Sequence, residues 1–295
     1  MIEQGGGHVD TIDIRAGDTD VRVGTTDVRV GTTDVRVGIT DVRVGIIGVG
    51  HLASYLVEGL RRASQDVEII LSPRNAERSA SLAARFGAVV AADNQAVADA
   101  VDLIILATRP GDIVAASEAV AFQPGQTVIS VAATLPLEAL KPAVTPATAV
   151  RAMPISCAAI NQSPTLLYPA NPQAQALFAL LGQVHVLPSE SCFAPASAIA
   201  AFYGWMYALL DDTVAWTTQA GIPPHMARRL VLETVRGAAG MALAQPQDDL
   251  ATMLDTLATP GGITEYGLDV LHQRQGRAGW TEALDAVCDR LRSAP

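Results

Sequence analysis

Gly48-Val49-Gly50-His51-Leu52-Ala53 reads G-x-G-x-x-A, placed between a short apolar run and a helical pattern. The first glycine permits a tight turn, the second lets backbone approach a pyrophosphate, and the small third residue lets helix and strand pack closely. The N-terminus of the helix then offers unpaired N–H groups to the phosphates. About twenty residues on, where an NAD site usually places Asp or Glu against the ribose hydroxyls, the chain reads Ser72-Pro73-Arg74-Asn75. Ser, Arg and Asn can hold a 2′-phosphate that a carboxylate would repel. The expected cofactor is therefore NADP(H) in preference to NAD(H). A second candidate is Thr259-Pro260-Gly261-Gly262-Ile263-Thr264, just before a helical pattern. Its glycines would offer unblocked N–H groups to a carboxylate, with the Thr264 hydroxyl facing the same pocket. Taken alone, the same six residues also read as an ordinary helix-starting turn.

The elements that must position these residues follow from periodicity. "VRVGIIGVGHLASYLVEGL" is a strand, a glycine turn and a helix with Leu52, Tyr55, Leu56 and Leu60 at helical spacing. "DVEIILSPRNAERSASLAARFGA" gives a second strand and a helix starting near Asn75. "GAVVAADNQAVADA" is a strand and short helix, and "VDLIILATRPGDI" is an apolar strand ending at Arg109-Pro110. "QTVISVAATLPLEAL" and "ATAVRAMP" add two more strands. Runs that are apolar on both faces and alternate with helices imply an α/β fold, a Rossmann-type, mainly parallel sheet covered on both sides. Its cofactor cleft is expected at the carboxyl ends of the strands, around Thr108, Ala132 and Met153. After about residue 188 only helical patterns remain, with Gly221-Ile222-Pro223 separating the first two. An all-helical half this rich in Ala and apolar residues implies burial against a second subunit.

The expected organisation is an N-terminal extension over 1–39, a dinucleotide-binding domain over 40–188 and a helical dimerisation and substrate domain over 189–295. The extension is marked by T-D-V-R-V-G-x, written four times from Thr19 onward. Seven residues are too few for a solenoid unit, and the Asp and Gly in each copy suit a coiled coil badly. The fourth copy runs into the glycine turn, so it is read as the real strand. The other three are read as its echoes in a mobile, dispensable segment.

Bulk properties narrow the function. Hydrophobic residues at 49% against 17% charged mark a folded chain. A net charge of -10 argues against a nucleic-acid partner. The start has no basic region followed by an apolar one, which points to a cytoplasmic protein. The uncharged stretch "SCFAPASAIAAFYGWMYALL" is about as long as a membrane span. Pro195 and its Ser and Tyr residues, with no basic flank, favour a helix at a protein interface and no membrane. Cys157, Cys192 and Cys288, and His185, His225 and His272, show no metal-ligand spacing, so no metal is expected.

The order G-V-G-H-L-A, A-A-D-N, L-A-T-R-P, I-S-V-A-A, V-R-A-M-P, G-A-A and T-P-G-G-I-T resembles the pyrroline-5-carboxylate reductase family over roughly residues 42–292. The resemblance implies an NAD(P)H-dependent reductase of a cyclic imine acid and a Rossmann domain followed by a helical domain that interlocks in a homodimer or higher homo-oligomer. It places Gly48, Gly50, His51 and Leu52 at the pyrophosphate turn, and Ser72, Arg74 and Asn75 at the adenosine phosphate. Asn94 falls near the ribose, Ala107, Thr108, Arg109 and Pro110 along the cofactor, and Ala132 and Ala133 near the nicotinamide. Thr259, Gly261, Gly262 and Thr264 fall on the loop that binds the substrate's carboxylate and imine nitrogen. An imine accepts hydride well only when its nitrogen is protonated or hydrogen-bonded, which suits Thr264 as donor.

Departures from the family pattern bear on the substrate. Where S-G-S-G-P-A-Y is usual, this chain has Ala200-Ala201-Phe202-Tyr203-Gly204-Trp205-Met206. M-P-N has become Met153-Pro154-Ile155, and P-G-G-T-T has become P-G-G-I-T. Three readings follow: an imine reductase with an altered substrate, with Tyr203 or Tyr207 as a second possible proton donor; an ordinary proline-forming reductase whose aromatic stripe packs the dimer core; or a catalytically silent dinucleotide binder. A hydroxyacid dehydrogenase would typically need a lysine in the helical domain, and no lysine follows Lys141.

Overall fold

The computed structural model describes residues 42–293. The first three copies of the repeat, and the expectation for residues 1–39, lie outside the described residues.

Eight strands form one sheet: β1 (Arg43–Ile47), β2 (Glu68–Leu71), β3 (Val89–Val90), β4 (Leu103–Leu106), β5 (Thr127–Ser130), β6 (Thr148–Met153), β7 (Thr165–Tyr168) and β8 (Val184–Val186). Their order is β3-β2-β1-β4-β5-β6-β7-β8. Every neighbouring pair is parallel except β6 with β7. Strand side chains alternate between two apolar layers: Val44, Ile46, Leu103, Ile105 and Ile129 face one, and Ile47, Ile104, Leu106 and Val128 the other. That period of two is why these strands read as continuous apolar runs. The intervening helices are α1 (His51–Ala63), α2 (Ala76–Phe86), α3 (Asn94–Asp99), α4 (Ile113–Glu118), α5 (Leu137–Val144) and α6 (Pro172–Ala179).

Several local expectations need correction. On α1, Leu56 and Leu60 are buried and Leu52 packs beside them, whereas Tyr55 turns outward because it lies about 100° from Leu56 around the helix. Strand β4 stops at Leu106, not at Arg109. The Ala107 N–H still bonds the Ile47 carbonyl at 2.8 Å, after which the chain leaves the sheet and Pro110 opens a 3₁₀ turn over Pro110–Asp112. Strands β7 and β8 and helix α6 were not read from the sequence, because each is short and prolines flank or open two of them.

Beyond β8 only helices follow: α7 (Phe193–Gln219), α8 (Pro224–Ala244), α9 (Leu250–Leu257), α10 (Ile263–Gln273) and α11 (Ala278–Arg292). Pro195 does not interrupt the apolar stretch, since it sits in the first turn of α7, where its missing N–H leaves no helical bond unmade. Helix α11 folds back on α7, with Trp280 against Phe202 and Trp205 at centroid distances of 5.8 and 6.4 Å. Helix α7 is long and apolar enough to cross a membrane by length and composition, and only 17% of its apolar window is buried within the chain. Large apolar side chains on α8 and α10, among them Leu230, Leu243, Ile263 and Tyr266, are also exposed. Exposed apolar side chains along several neighbouring helices of one chain are what a subunit interface leaves.

The two halves are joined through Arg151 of β6. Its guanidinium meets Glu190 at 2.7 Å, donates to the Ala133 carbonyl at 2.8 Å and lies 3.9 Å over the Phe193 ring at the start of α7. Glu190 also accepts the Leu137 N–H at the start of α5. Burial pulls the guanidinium below its usual pKa and the Glu190 carboxylate pushes back, so the pair is held together by mutual need.

Candidate active site

The glycine turn sits at the carboxyl ends of β1 and β4. Gly48 has φ +95, in the left-handed region, and its α-carbon lies so close to the chain leaving β4 that an added Cβ would stand 2.5 Å from the Thr108 nitrogen. Gly50 has open space where its side chain would be, and it caps α1 with no side-chain bond. The first N–H groups of α1 therefore face an open cleft of about 600 Å³. Gly48, Gly50, His51, Arg74, Asn75, Ala107, Thr108 and Arg109 all line it. Thr108 Oγ1 is buried and finds no partner among the described residues, which fits a polar ligand still to be received.

Other expected cofactor residues do something else. Ser72 accepts the Gly48 N–H at 2.9 Å and so holds the turn, and because it is fully buried and does not line the cleft, it is out of reach of a 2′-phosphate. Asn75 caps α2 through Arg78 N–H and donates to the Val49 carbonyl, stitching the turn to the second helix while still facing the cleft. Leu52 packs against the core. Asn94 opens α3, Pro110 opens the 3₁₀ turn, and neither lines the cleft. Ala132 is buried in the core, and the Ala133 carbonyl is taken by Arg151. Sequence reasoning missed Asp112, which lines the cleft 3.8 Å from Arg74. Its signal was only that it follows R-P-G directly.

A second cavity of about 650 Å³ lies between α7 and the ends of β6 and β7. Met153, Ile155, Leu166 and Met206 give it apolar walls, and Tyr203 and Tyr207 bring phenols into it. The two phenols share a 2.9 Å hydrogen bond, and Ser156 donates to Tyr203 at 3.2 Å. That bond, with lesser burial, pushes Tyr207 up from 10.0 to about 12. Tyr207 thus stays protonated to higher pH in the folded chain than in the unfolded one. Its contribution to stability is intact below pH 10 and disappears as pH rises towards 12. Phenolate absorbance titration should show one late-titrating tyrosine, returned towards the ordinary range by Tyr203→Phe; identical titrations would refute the coupling.

Residues 258–262 join α9 to α10, Thr264 lies in the first turn of α10, and none of residues 259–264 lines either cavity. Thr259, Gly261 and Thr264 are exposed. The glycine N–H groups are not unblocked: Gly261 donates to the Glu265 carboxylate at 2.7 Å and Gly262 to the Thr259 carbonyl at 2.8 Å. The turn closes on itself because φ +76 at Gly261 points its N–H back towards the first turn of α10.

Comparison with known proteins decides the family. Residues 190–294 match the model for pyrroline-5-carboxylate reductase dimerisation, and 43–134 the model for NADP oxidoreductase, coenzyme F420-dependent. A pyrroline-5-carboxylate reductase of Pseudomonas aeruginosa is 30% identical over 262 residues, covering 83% of this chain and 93% of that one. The chain belongs to the pyrroline-5-carboxylate reductase family. Members of this family are NAD(P)H-dependent oxidoreductases acting on a C=N bond. The solved reductase of Streptococcus pyogenes is 28% identical with a TM-score of 0.75, covering 85% of this chain and 98% of that one. The Plasmodium falciparum pyrroline carboxylate reductase, solved with NADP bound, shares the fold at a TM-score of 0.75 and 18% identity, covering 86% and 98%.

Within a pyrroline-5-carboxylate reductase fold, the aromatic stripe on α7 has a divided role. Phe202 and Trp205 pack on Trp280 inside the helical half, while Tyr203, Met206 and Tyr207 line the second cavity. Ile155, in the place of the family's usual asparagine, lines that cavity too.

Proposed function

We propose that this chain is an NADPH-dependent reductase of a small cyclic imine of the pyrroline class, acting as a homodimer. The observation that carries the reading is the cleft at the uncapped N-terminus of α1, with Arg74 beyond a β2 that ends in no carboxylate. NADPH bound there would supply the hydride for the C=N carbon. The α1 N–H groups would hold its pyrophosphate, and Arg74, now 3.8 Å from Asp112, would take its 2′-phosphate. The imine nitrogen needs a proton or a hydrogen-bond donor, for which the Thr264 hydroxyl is suited and the Tyr203–Tyr207 pair is the other candidate. Because residues 259–264 line neither the nucleotide cleft nor the second cavity of their own chain, they serve the cleft of a second copy brought in by the exposed faces of α7, α8 and α10.

The test is NADPH oxidation with pyrroline-5-carboxylate beside pyrroline-2-carboxylate, piperideine carboxylates and uncharged pyrrolines, repeated with NADH. Arg74→Ala should raise KM for NADPH about tenfold with little change for NADH, the loss of one exposed charge-assisted contact. No turnover of any imine, with NADPH still bound, would make the protein a silent nucleotide binder. An equal effect of Arg74→Ala on both cofactors would remove the 2′-phosphate role.

A further inference from the structure

Arg151 sits on β6 opposite Ser130 of β5, and its side chain reaches over the segment that leaves the carboxyl end of that strand. One arm of the guanidinium donates to the Ala133 carbonyl at 2.8 Å. The other meets Glu190 Oε1 at 2.7 Å, and the same oxygen accepts the Leu137 N–H. Both lengths are those of charge-assisted bonds. Glu190 belongs to the 3₁₀ turn Glu190–Cys192 that opens into α7, and Phe193, the first residue of α7, lies against the guanidinium face. One buried side chain thus fixes residues 133–137 and the start of α7 to each other. Stability alone does not require a charge at this junction. A buried guanidinium gives up its water, and apolar side chains of similar volume commonly hold such a place as well or better. What a hydrocarbon cannot do is fix backbone groups in direction. The order β3-β2-β1-β4-β5-β6 is that of a two-half dinucleotide fold, with the cofactor laid across the point between β1 and β4. With the adenosine half on the β2 side at Arg74, the nicotinamide falls over β4, β5 and β6, where residues 133–137 leave the sheet.

Resting on the imine-reductase reading, we propose that Arg151 is a positioning residue for hydride transfer. It locks the segment beside the nicotinamide to α7, the helix whose exposed apolar face receives the second copy, and so sets the distance from hydride donor to imine carbon. Glu190 acts with it by orienting the guanidinium and taking the Leu137 N–H. Neither residue lines the nucleotide cleft, so the pair acts on the geometry of transfer and leaves cofactor affinity alone.

The experiment measures kcat with the imine that the parent turns over best, and the Kd for NADPH by fluorescence, in the parent, Arg151→Met, Arg151→Lys and Glu190→Gln. Arg151→Met should lower kcat about 30-fold, a misplacement just short of the ångström that costs about 100-fold, while Kd for NADPH stays within about threefold of the parent. With NADPH deuterated at nicotinamide C4, the isotope effect on kcat should rise in this variant, because hydride transfer becomes the slow step. Arg151→Lys keeps the charge but loses the fork that serves two partners at once, and its kcat should fall only about tenfold. Glu190→Gln keeps an acceptor for the Leu137 N–H without the charge, and should lose about fivefold. A merely structural role would lower the melting temperature and, below it, leave kcat and the isotope effect at their parent values. That result, or a loss of NADPH affinity in proportion to kcat, would overturn the proposal and leave the reductase reading standing. If the methionine variant does not fold, the lysine and glutamine variants decide the same split. A parent silent towards every imine would overturn both.

Discussion

Gly48→Ala will weaken NADPH binding about 100-fold, the equivalent of about 3 kcal/mol, the cost of forcing a side chain into a closely packed turn. Alanine at φ +95 costs about 1–2 kcal/mol from its Cβ alone. The larger penalty is contact, since that Cβ would lie 2.5 Å from the Thr108 nitrogen and 2.7 Å from the Ala107 carbonyl carbon. Both are backbone atoms, and Ala107 is fixed to β1 by its 2.8 Å bond to Ile47, so neither can swing aside as a side-chain tip would. The turn must move instead, which breaks the Gly48–Ser72 bond and carries the α1 N-terminus away from the cleft. A fluorescence titration with NADPH measures the loss directly. A dissociation constant within about threefold of the parent would show that the turn tolerates a side chain and that the cleft is not built on it.

Gly59→Ala will destabilise the fold by about 3 kcal/mol, with a melting temperature lower by about 10 °C. Position 59 lies on the buried face of α1, where the helix crosses the turn Ser156–Ile160. An added Cβ would overlap the Ala158 carbonyl and approach Leu181 Cδ2 at 2.7 Å. The Gly59 carbonyl also accepts from Asn161 at 2.8 Å, a bond that is lost if α1 lifts. In an exposed helix the same change would stabilise by up to about 1 kcal/mol through propensity, so the sign of the effect reports the crossing itself. Thermal melting followed by circular dichroism checks it. An unchanged or higher melting temperature would mean that α1 and the 156–160 turn are not in contact at this distance in solution.

Much of the first domain was legible because its signals are local. Alternating apolar residues, G-x-G-x-x-A and the Asn75 cap each act within a few residues of themselves, so β1, α1, β2 and α2 were readable in place. Strands β7 and β8 were not, because four or fewer residues between turn formers carry too little period to distinguish strand from loop. Asp112 was missed for another reason: it enters the cleft only because β4 ends early and the 3₁₀ turn swings back towards Arg74.

The sequence by itself determined the layered α/β domain, its glycine turn, the helical second half and, through the order of seven short motifs, the family. Tertiary structure alone decided which polar groups are free. Ser72 reads as a phosphate ligand in one dimension, but the fold buries it away from the cleft, against the Gly48 N–H 24 residues distant in sequence. Gly261 and Gly262 read as open donors until the fold of their own turn supplies Glu265 and Thr259 as acceptors. The stripe on α7 reads as either core or pocket, and only the return of α11 divides it into both. Periodicity reports which way a side chain leaves the backbone, but whether a donor or a ring is already taken depends on what the remainder of the chain brings against it.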